Sequence, residues 1–417
     1  VPGFCRTDPV NWNQVDWERP INLGMFLPDG SEAFNVNAGI RISGGCSRIY
    51  GQKSLNVYMR RNMYGDDAID YPIYKGRENT IYERIKLRNS GQDFLRTMFR
   101  DGLIQSLLWD RIDMDLLGYQ PTTLYLNGNF WGIYNIRELF NDEHFENVYG
   151  VDNDEIDLLK NPGMPWEDVK RGTDTEYKAL FDFASNNDLS TPANYQTVAN
   201  QFDINQLTNY WAYSIYVARN DWPANNIILW KEQKAGKKWR YGAIDHDGST
   251  DNGFGPETAP NYNTLEQVMV NTSTQHPNHS SSTLFFRKLL KNENFRNEFL
   301  QRSCSFIELI FSEDRTANIT DSLEALIAPV DEPEQLISYQ IFPNPTTGKV
   351  NLLASFDQVT EATIAIYDLL GKVIYTKNIN HISINEQLDL SANTSGIYLL
   401  NIITEKGTIT ERLVINR

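Results

Sequence analysis

Cysteine is scarce in this sequence: Cys5, Cys46 and Cys304 are the only three in 417 residues. An odd and scattered set excludes a CxxC metal site and a dense disulfide scaffold, while leaving room for one bridge. Histidine is nearly as rare, at five residues (His144, His246, His276, His279 and His381), and none falls in an HExxH spacing. Zinc-protease chemistry of that type is therefore excluded. There is no GxSxG, so the elbow that exposes a serine nucleophile in α/β-hydrolases is missing too. No apolar run approaches the roughly 18 residues of a membrane helix. Basic charge is the last deficit: 38 Lys and Arg stand against 54 Asp and Glu, a net charge of −16. That balance repels phosphodiester backbones and anionic lipid, so neither nucleic acid nor a membrane surface is expected as a partner.

Aromatic residues are plentiful instead, with 21 Tyr, 20 Phe and 9 Trp, enough to bury a large core. The texture divides the chain into residues 1–329, a linker at 330–336 and residues 337–417. The first region opens with strand patterns at Asn37–Ser43 and Ser54–Met59, joined by a turn that contains Gly44, Gly45 and Gly51 and ends at Lys53. A helix is expected from about Asp93 to Leu108. Thr123–Leu126, Asn127-Gly128 and Phe130–Tyr134 read as a hairpin, because Asn-Gly accepts positive φ at both turn positions. Asp203 opens an aromatic helix running to about Ala218, and Pro223 ends it and throws the chain into a loop. Short strands at Asn226–Trp230 and Lys238–Ile244 come next, then helical pattern from Thr283 to about Phe311. Pro329–Glu334, with two prolines and three acids, resists helix and strand alike. Beyond it, apolar runs at Val350–Ala354, Ala362–Tyr367, Lys372–Thr376, Ile397–Ile403 and Ile409–Ile415 predict a small all-β sandwich.

Chemistry concentrates between Asp221 and Asp247. Asp221 and Asn226 are spaced Asp-x4-Asn after a Pro-stopped helix, and Asp245 and Asp247 end the next strand. Phosphoryl transfer needs a carboxylate at the acceptor hydroxyl and oxygen ligands holding Mg²⁺ against the nucleotide phosphates; protein kinases supply them in this order. Mg²⁺ prefers hard oxygen donors and keeps waters, so one Asn and one or two Asp suffice. The plainer alternative is a set of local turn caps. Asp152–Asp157 is rich in carboxylates but lacks the Gly and terminal Glu of an EF-hand loop, and reads as a solvated acidic turn.

The stretch from about Ile21 to Arg302 resembles the spore-coat protein H (CotH) family of atypical kinases. The resemblance rests on Gly39–Arg48 with Gln52-Lys53-Ser54, Leu87–Asp93, Tyr125–Glu138, Asn220–Asn226 and Asp245-His246-Asp247. It implies a kinase-like α+β domain and Mg²⁺- and ATP-dependent phosphorylation of Ser or Thr in a protein substrate. Residue by residue, it implies Asp221 as the catalytic carboxylate, Asn226 and Asp245 as metal ligands with Asp247 as a second candidate, and Lys53 as the cation facing phosphate. Gly44 and Gly45 would offer backbone N–H groups to phosphate, and Asp101 would either pair with Lys53 or make an ordinary surface ion pair. There is no GxGxxG, HRD or DFG, which keeps a pseudokinase scaffold or adhesion protein, binding protein or glycan, as the alternative. Phe342–Gly348, Ile366–Val373, Ser395–Leu400 and Arg412–Ile415 resemble the C-terminal sorting domain of type IX secretion cargo in Bacteroidota. That resemblance implies an immunoglobulin-like β-sandwich, contact with the secretion machinery, and a secreted or cell-surface location. Extracellular space holds little ATP, so the implied reaction would meet its donor elsewhere or use another.

Overall fold

Alternation of apolar and polar residues builds the first sheet. In the computed structural model, which describes residues 17–94, 96–250, 262–274, 278–327, 336–368, 372–404 and 407–416, strand β1 (Arg19–Phe26) pairs with β2 (Glu32–Ser43), where Phe34, Val36 and Ala38 point inward. A 3₁₀ turn at Cys46–Ile49 leads to β3 (Ser54–Tyr58), and a short helix α1 (Arg61–Tyr64) precedes the two-residue strands β4 (Ile69–Asp70) and β5 (Ile81–Tyr82). Strand β6 (Arg84–Arg88) buries Ile85 and Leu87 on one face, so Lys86 and Arg88 share the other. Helix α2 (Arg100–Leu108) and the hairpin β7 (Tyr119–Leu126) and β8 (Asn129–Arg137) complete a sheet ordered β1-β2-β3-β6-β8-β7. The pairing places Lys86 opposite Arg137 and Arg88 opposite Asn135.

After α3 (Asp142–Tyr149), strands β9 (Ile156–Lys160) and β10 (Asp168–Arg171) begin a second sheet. Helices α4 (Thr175–Asn186), α5 (Pro192–Ala199) and α6 (Ile204–Tyr216) follow, and then β11 (Ile228–Glu232) and β12 (Arg240–Gly242) complete the order β10-β9-β11-β12. Asp203 caps α6 by accepting from the Gln206 N–H at 3.2 Å. The helix is buried along nine residues and centres an aromatic core in which Trp211 stacks on Phe286 and Tyr210 on Tyr241. Helices α7 (Thr264–Met269), α8 (Leu284–Leu289), α9 (Glu293–Leu309) and α10 (Glu313–Ile327) follow.

The remaining strands are β13 (Leu336–Phe342), β14 (Lys349–Asp368), β15 (Val373–Asp389), β16 (Gly396–Thr404) and β17 (Gly407–Ile415). They form one antiparallel, hydrogen-bonded sheet with its own apolar core. The chain thus has a mixed α/β part and an all-β C-terminal part. The chain divides into two compact units: residues up to Thr122 with Ile133–Glu324, and Thr123–Gly132 with Ala325–Arg417.

Several expectations shift. The helix expected from Asp93 begins at Arg100, because the Asp93 carboxylate accepts from Thr97 Oγ1 at 2.6 Å and the Arg100 N–H at 3.1 Å, and so holds a turn ahead of it. The helical stretch from Thr283 is two helices, divided where Asn292 caps α9 through the N–H groups of Asn294 and Phe295. Two C-terminal runs, Val350–Ala354 and Ala362–Tyr367, lie on the single strand β14, whose pairing continues through a register shift between Ser355 and Thr360. Most of the proposed linker, and Cys5, lie outside the described residues. Asp157, expected in a solvated turn, is buried on β9 and accepts from the Thr173 N–H at 2.7 Å.

His144 sits among Phe140, Phe145 and Tyr149, and burial pushes its imidazole down to about 4 despite Glu138 nearby. Below the ordinary value of 6.5 the unfolded chain takes a proton that the folded chain refuses, so stability falls as pH drops from about 6.5 toward 4. The His144→Phe variant is expected to lose part of that slope, roughly 1 kcal/mol per pH unit over the window. Urea midpoints at pH 7, 6, 5 and 4.5 check it; parallel curves for both proteins would refute it.

Candidate functional site

Strand β6 delivers Arg88 to the end of the first sheet, where its Nη2 donates to Asp245 and, at 2.7 Å, to Asp247 Oδ2. The backbone turns immediately afterwards, with Ser90 at φ 72° and Gly91 at φ 56°. Gln92 then donates its N–H to Asp247 Oδ2 at 2.9 Å. A Cβ on Gly91 would lie 1.7 Å from that oxygen, so glycine here makes room for the carboxylate. Asn89, fully buried, ties the same turn to the first sheet: it accepts from Ser54 Oγ at 2.7 Å and donates to the Gln52 carbonyl at 2.6 Å.

The two carboxyls are shifted in opposite directions. Burial pushes Asp247 well above the ordinary carboxylate range, and the neighbouring charge of Asp245 adds to this. Burial acts on Asp245 in the same direction, but the Arg88 guanidinium outweighs it and holds that group below its usual value. Between them His246 turns inward. Its N–H and its Nδ1 each lie 3.0 Å from Asp101 Oδ1 on α2, and its Nε2 lies 3.3 Å from the Tyr213 hydroxyl. Burial pushes the imidazole down to about 4 despite Asp101. Burial opposes ionisation of Asp101 too, yet Arg137 at 3.1 Å and His246 hold it well below the usual range.

Asp221 follows the end of α6. Its Oδ2 accepts from Asn225 Nδ2 at 2.8 Å and Asn226 Nδ2 at 3.2 Å, which points the Asn226 amide oxygen away from the carboxylate. Arg219, fully buried against Tyr210 and Trp222, joins this loop to the acid loop: its Nη2 donates to the carbonyls of Asn226 at 3.2 Å and Ile244 at 2.6 Å. The Asn220 N–H donates to the Gly248 carbonyl at 3.2 Å, and the Thr250 N–H to Val217 at 2.9 Å. Asp221, Asn226 and Asp245 have φ of 56°, 55° and 59°. Left-handed backbone at three non-glycine residues costs of order 1–3 kcal/mol each and persists only where the surroundings enforce it.

The structure therefore brings the loops of Asp221, Asn226, Asp245 and Asp247 together. Gly44, Gly45 and Lys53 sit in the turn before β3. Gly44 has φ 107° and Gly45 leads the 3₁₀ turn. The Lys53 ammonium donates to the carbonyls of Arg48 at 2.7 Å and Tyr50 at 2.9 Å, and so closes that turn. The expected Lys53–Asp101 pair is corrected: Asp101 is buried with Arg137 and His246. Arg88 bonds Asp245, and the charges of Lys86 and Lys160 act on it; none of the three is among the site residues expected from the sequence. Burial, with Arg88 close by, pushes Lys86 down to about 8. Period-2 alternation in Arg84–Arg88, visible in the burial of Ile85 and Leu87, is the signal that could have placed Lys86 and Arg88 on one face. Among the described residues no cluster of three His, Cys, Asp or Glu groups could hold a metal, and no helix is long and apolar enough to cross a membrane. Asp251 to Gly255, downstream of the acid loop, lie outside the described residues.

Residues 40–359 match the family described as CotH kinase protein, and residues 340–416 match the secretion system C-terminal sorting domain. The chain belongs to the CotH kinase protein family. Its sorting domain marks it for export by type IX secretion to the cell surface or beyond. A comparison with curated proteins gives no match.

Two glycine substitutions separate the hub from the turn. Gly91→Ala places a methyl on Asp247 at positive φ and is expected to lower stability by about 1–3 kcal/mol. Gly51→Ala, whose Cβ meets nothing within 4 Å, is expected to stay within about 0.5 kcal/mol. Thermal melts of the two variants beside the wild type check the ordering; equal losses would contradict it.

Proposed function

We propose that the protein is a secreted kinase that transfers the γ-phosphate of ATP to Ser or Thr of a protein substrate, with Mg²⁺. The observation that carries this reading is the joining of the Asp221–Asn226 loop to the Asp245–Asp247 loop through Arg219. It is supported by the order of parts: strand, glycine turn, strand, a strand bearing cations, helix, hairpin, then helix, carboxylate loop, hairpin and acid loop. Protein kinases run through the same sequence of parts. A kinase-like domain over residues 1–329, a linker at 330–336 and an immunoglobulin-like sandwich over 337–417 belong to the same proposal.

The donor set suits the group it would hold. Asp245, Asp247 and the Asn226 amide are hard oxygen ligands, and Mg²⁺ takes one or two carboxylates plus waters and phosphates. When bound, the metal and ATP supply the transferable phosphoryl group and partial neutralisation of its charge. The protein's own work is positional. Asp221, aimed by the amides of Asn225 and Asn226, orients the acceptor hydroxyl and takes its proton. Lys86, Lys160 and Arg88 give the phosphates a cationic wall, with Lys86 and Arg88 on the strand before α2, where a kinase carries its phosphate-binding Lys. Lys53, Gly44 and Gly45 would shape the turn above the nucleotide, with Lys53 acting through the turn's carbonyls. The second reading, a binding scaffold without catalysis, draws on the exposed side chains of Tyr125, Phe130 and Trp131 along the β7–β8 hairpin.

The test is Mg²⁺-dependent incorporation of labelled γ-phosphate by the full chain into itself and into generic protein acceptors. Asp221→Asn is expected to cost about 10²–10⁴ in rate, and Lys86→Met to raise KM for ATP more than Lys53→Met does. Full activity in Asp221→Asn would remove that residue from the mechanism. No transfer by the wild type, together with glycan or protein binding that is lost on Trp131→Ala, would favour the scaffold.

A further inference from the structure

Arg88 lies on the two carboxyls that the kinase reading assigns to the metal. One nitrogen, Nη2, reaches both Asp245 and Asp247, so a single small cation in its place would bridge the same two carboxyls. The grip is not the paired fork that makes arginine–carboxylate contacts strong, since both bonds leave from the same nitrogen. The neighbouring Nε is buried and meets no hydrogen-bond partner, which is costly for a charged donor. The charges of Lys86 and Lys160 also act on Asp245, and neither ammonium makes a described hydrogen bond or ion pair. A further dication entering this cluster would be repelled unless anionic charge arrived with it.

We propose that Arg88 is a latch: its guanidinium closes the Asp245–Asp247 pair against bare divalent cations and releases it only when polyphosphate enters to accept the arginine beside Lys86 and Lys160. The inference rests on the kinase reading of this site and adds an order to it. Metal and polyphosphate bind together, each raising the affinity of the other, because the same side chain must change partners for either to bind. No bond is made or broken; one ion pair is exchanged for another.

Thermal shift of the full chain tests the latch, with Mn²⁺ alone and Mn²⁺ premixed with inorganic tripolyphosphate as probes. The wild type is expected to respond to the premixed complex and to require at least tenfold more Mn²⁺ when the metal is alone. In Arg88→Gln, Mn²⁺ alone is expected to act at least tenfold more potently than on the wild type, and Arg88→Lys is expected to fall between the two. Equal potency of both probes on the wild type overturns the latch while leaving a metal site in place. So does an Arg88→Gln protein no more responsive to Mn²⁺ than the wild type. Where Arg88→Gln does not fold, the two wild-type arms decide alone. No response by any of the proteins to either probe overturns the latch and the kinase reading together.

Discussion

The guanidinium of Arg88 holds two carboxyls with one nitrogen, and the surrounding structure is arranged around that contact. Strand alternation aims Arg88 and Lys86 out of the same face of β6. The chain then has to reverse within three residues to leave room for Asp247, which only the positive φ and missing Cβ of Gly91 allow. Asn89 links that reversal to the exit of the glycine turn, and Asp101 links the acid loop to α2 through His246. A sheet, a turn, a helix and an acid loop therefore meet at one ion-pair cluster. Removing one partner of such a cluster leaves an uncompensated buried charge, which costs far more than the net worth of the contact.

The strain across from Arg88 has its own support. Three residues of the site carry left-handed backbone, and Arg219 opposes their relaxation by bonding carbonyls on both loops from within the aromatic core. Tyr210 serves twice, accepting from Arg219 Nη1 at 3.3 Å and from Trp222 Nε1 at 2.9 Å. The abundance of aromatic residues thus has a mechanical use here. Flat, rigid rings around α6 pack to a density that fixes a buried cation, and the cation fixes the two loops. The chain is strongly acidic as a whole, yet Lys86, Arg88, Arg137, Lys160 and Arg219 gather at this one place.

Much of this was legible locally. The Asn-Gly hairpin and the Asp203 cap depend on neighbours within a few residues, and each appears where its chemistry places it. The partner of Arg88 was not legible, because it lies 157 residues away and is set by sheet register and the path of the acid loop. Lys53 was singled out for its position after glycines, whereas the structure directs its ammonium to two carbonyls of its own turn. Asp93 shows the same limit at smaller scale: its residue type permits a helix, and its side chain instead holds the backbone in turns. Family membership, by contrast, was carried by motifs scattered in order along the chain, and those survive ignorance of the contacts.

The central claim is that Asp245 and Asp247, now bridged by Arg88, are the metal-binding pair of a nucleotide site completed by Asn226. A crystal of the full chain grown with Mn²⁺ and a non-hydrolysable ATP analogue, measured at the manganese absorption edge, addresses it directly. The account predicts an anomalous peak bridging the Asp245 and Asp247 carboxyls, with the Asn226 amide oxygen beside it and Arg88 turned toward the phosphates. A bound nucleotide whose metal lies elsewhere, with Arg88 still on both carboxyls, would contradict it.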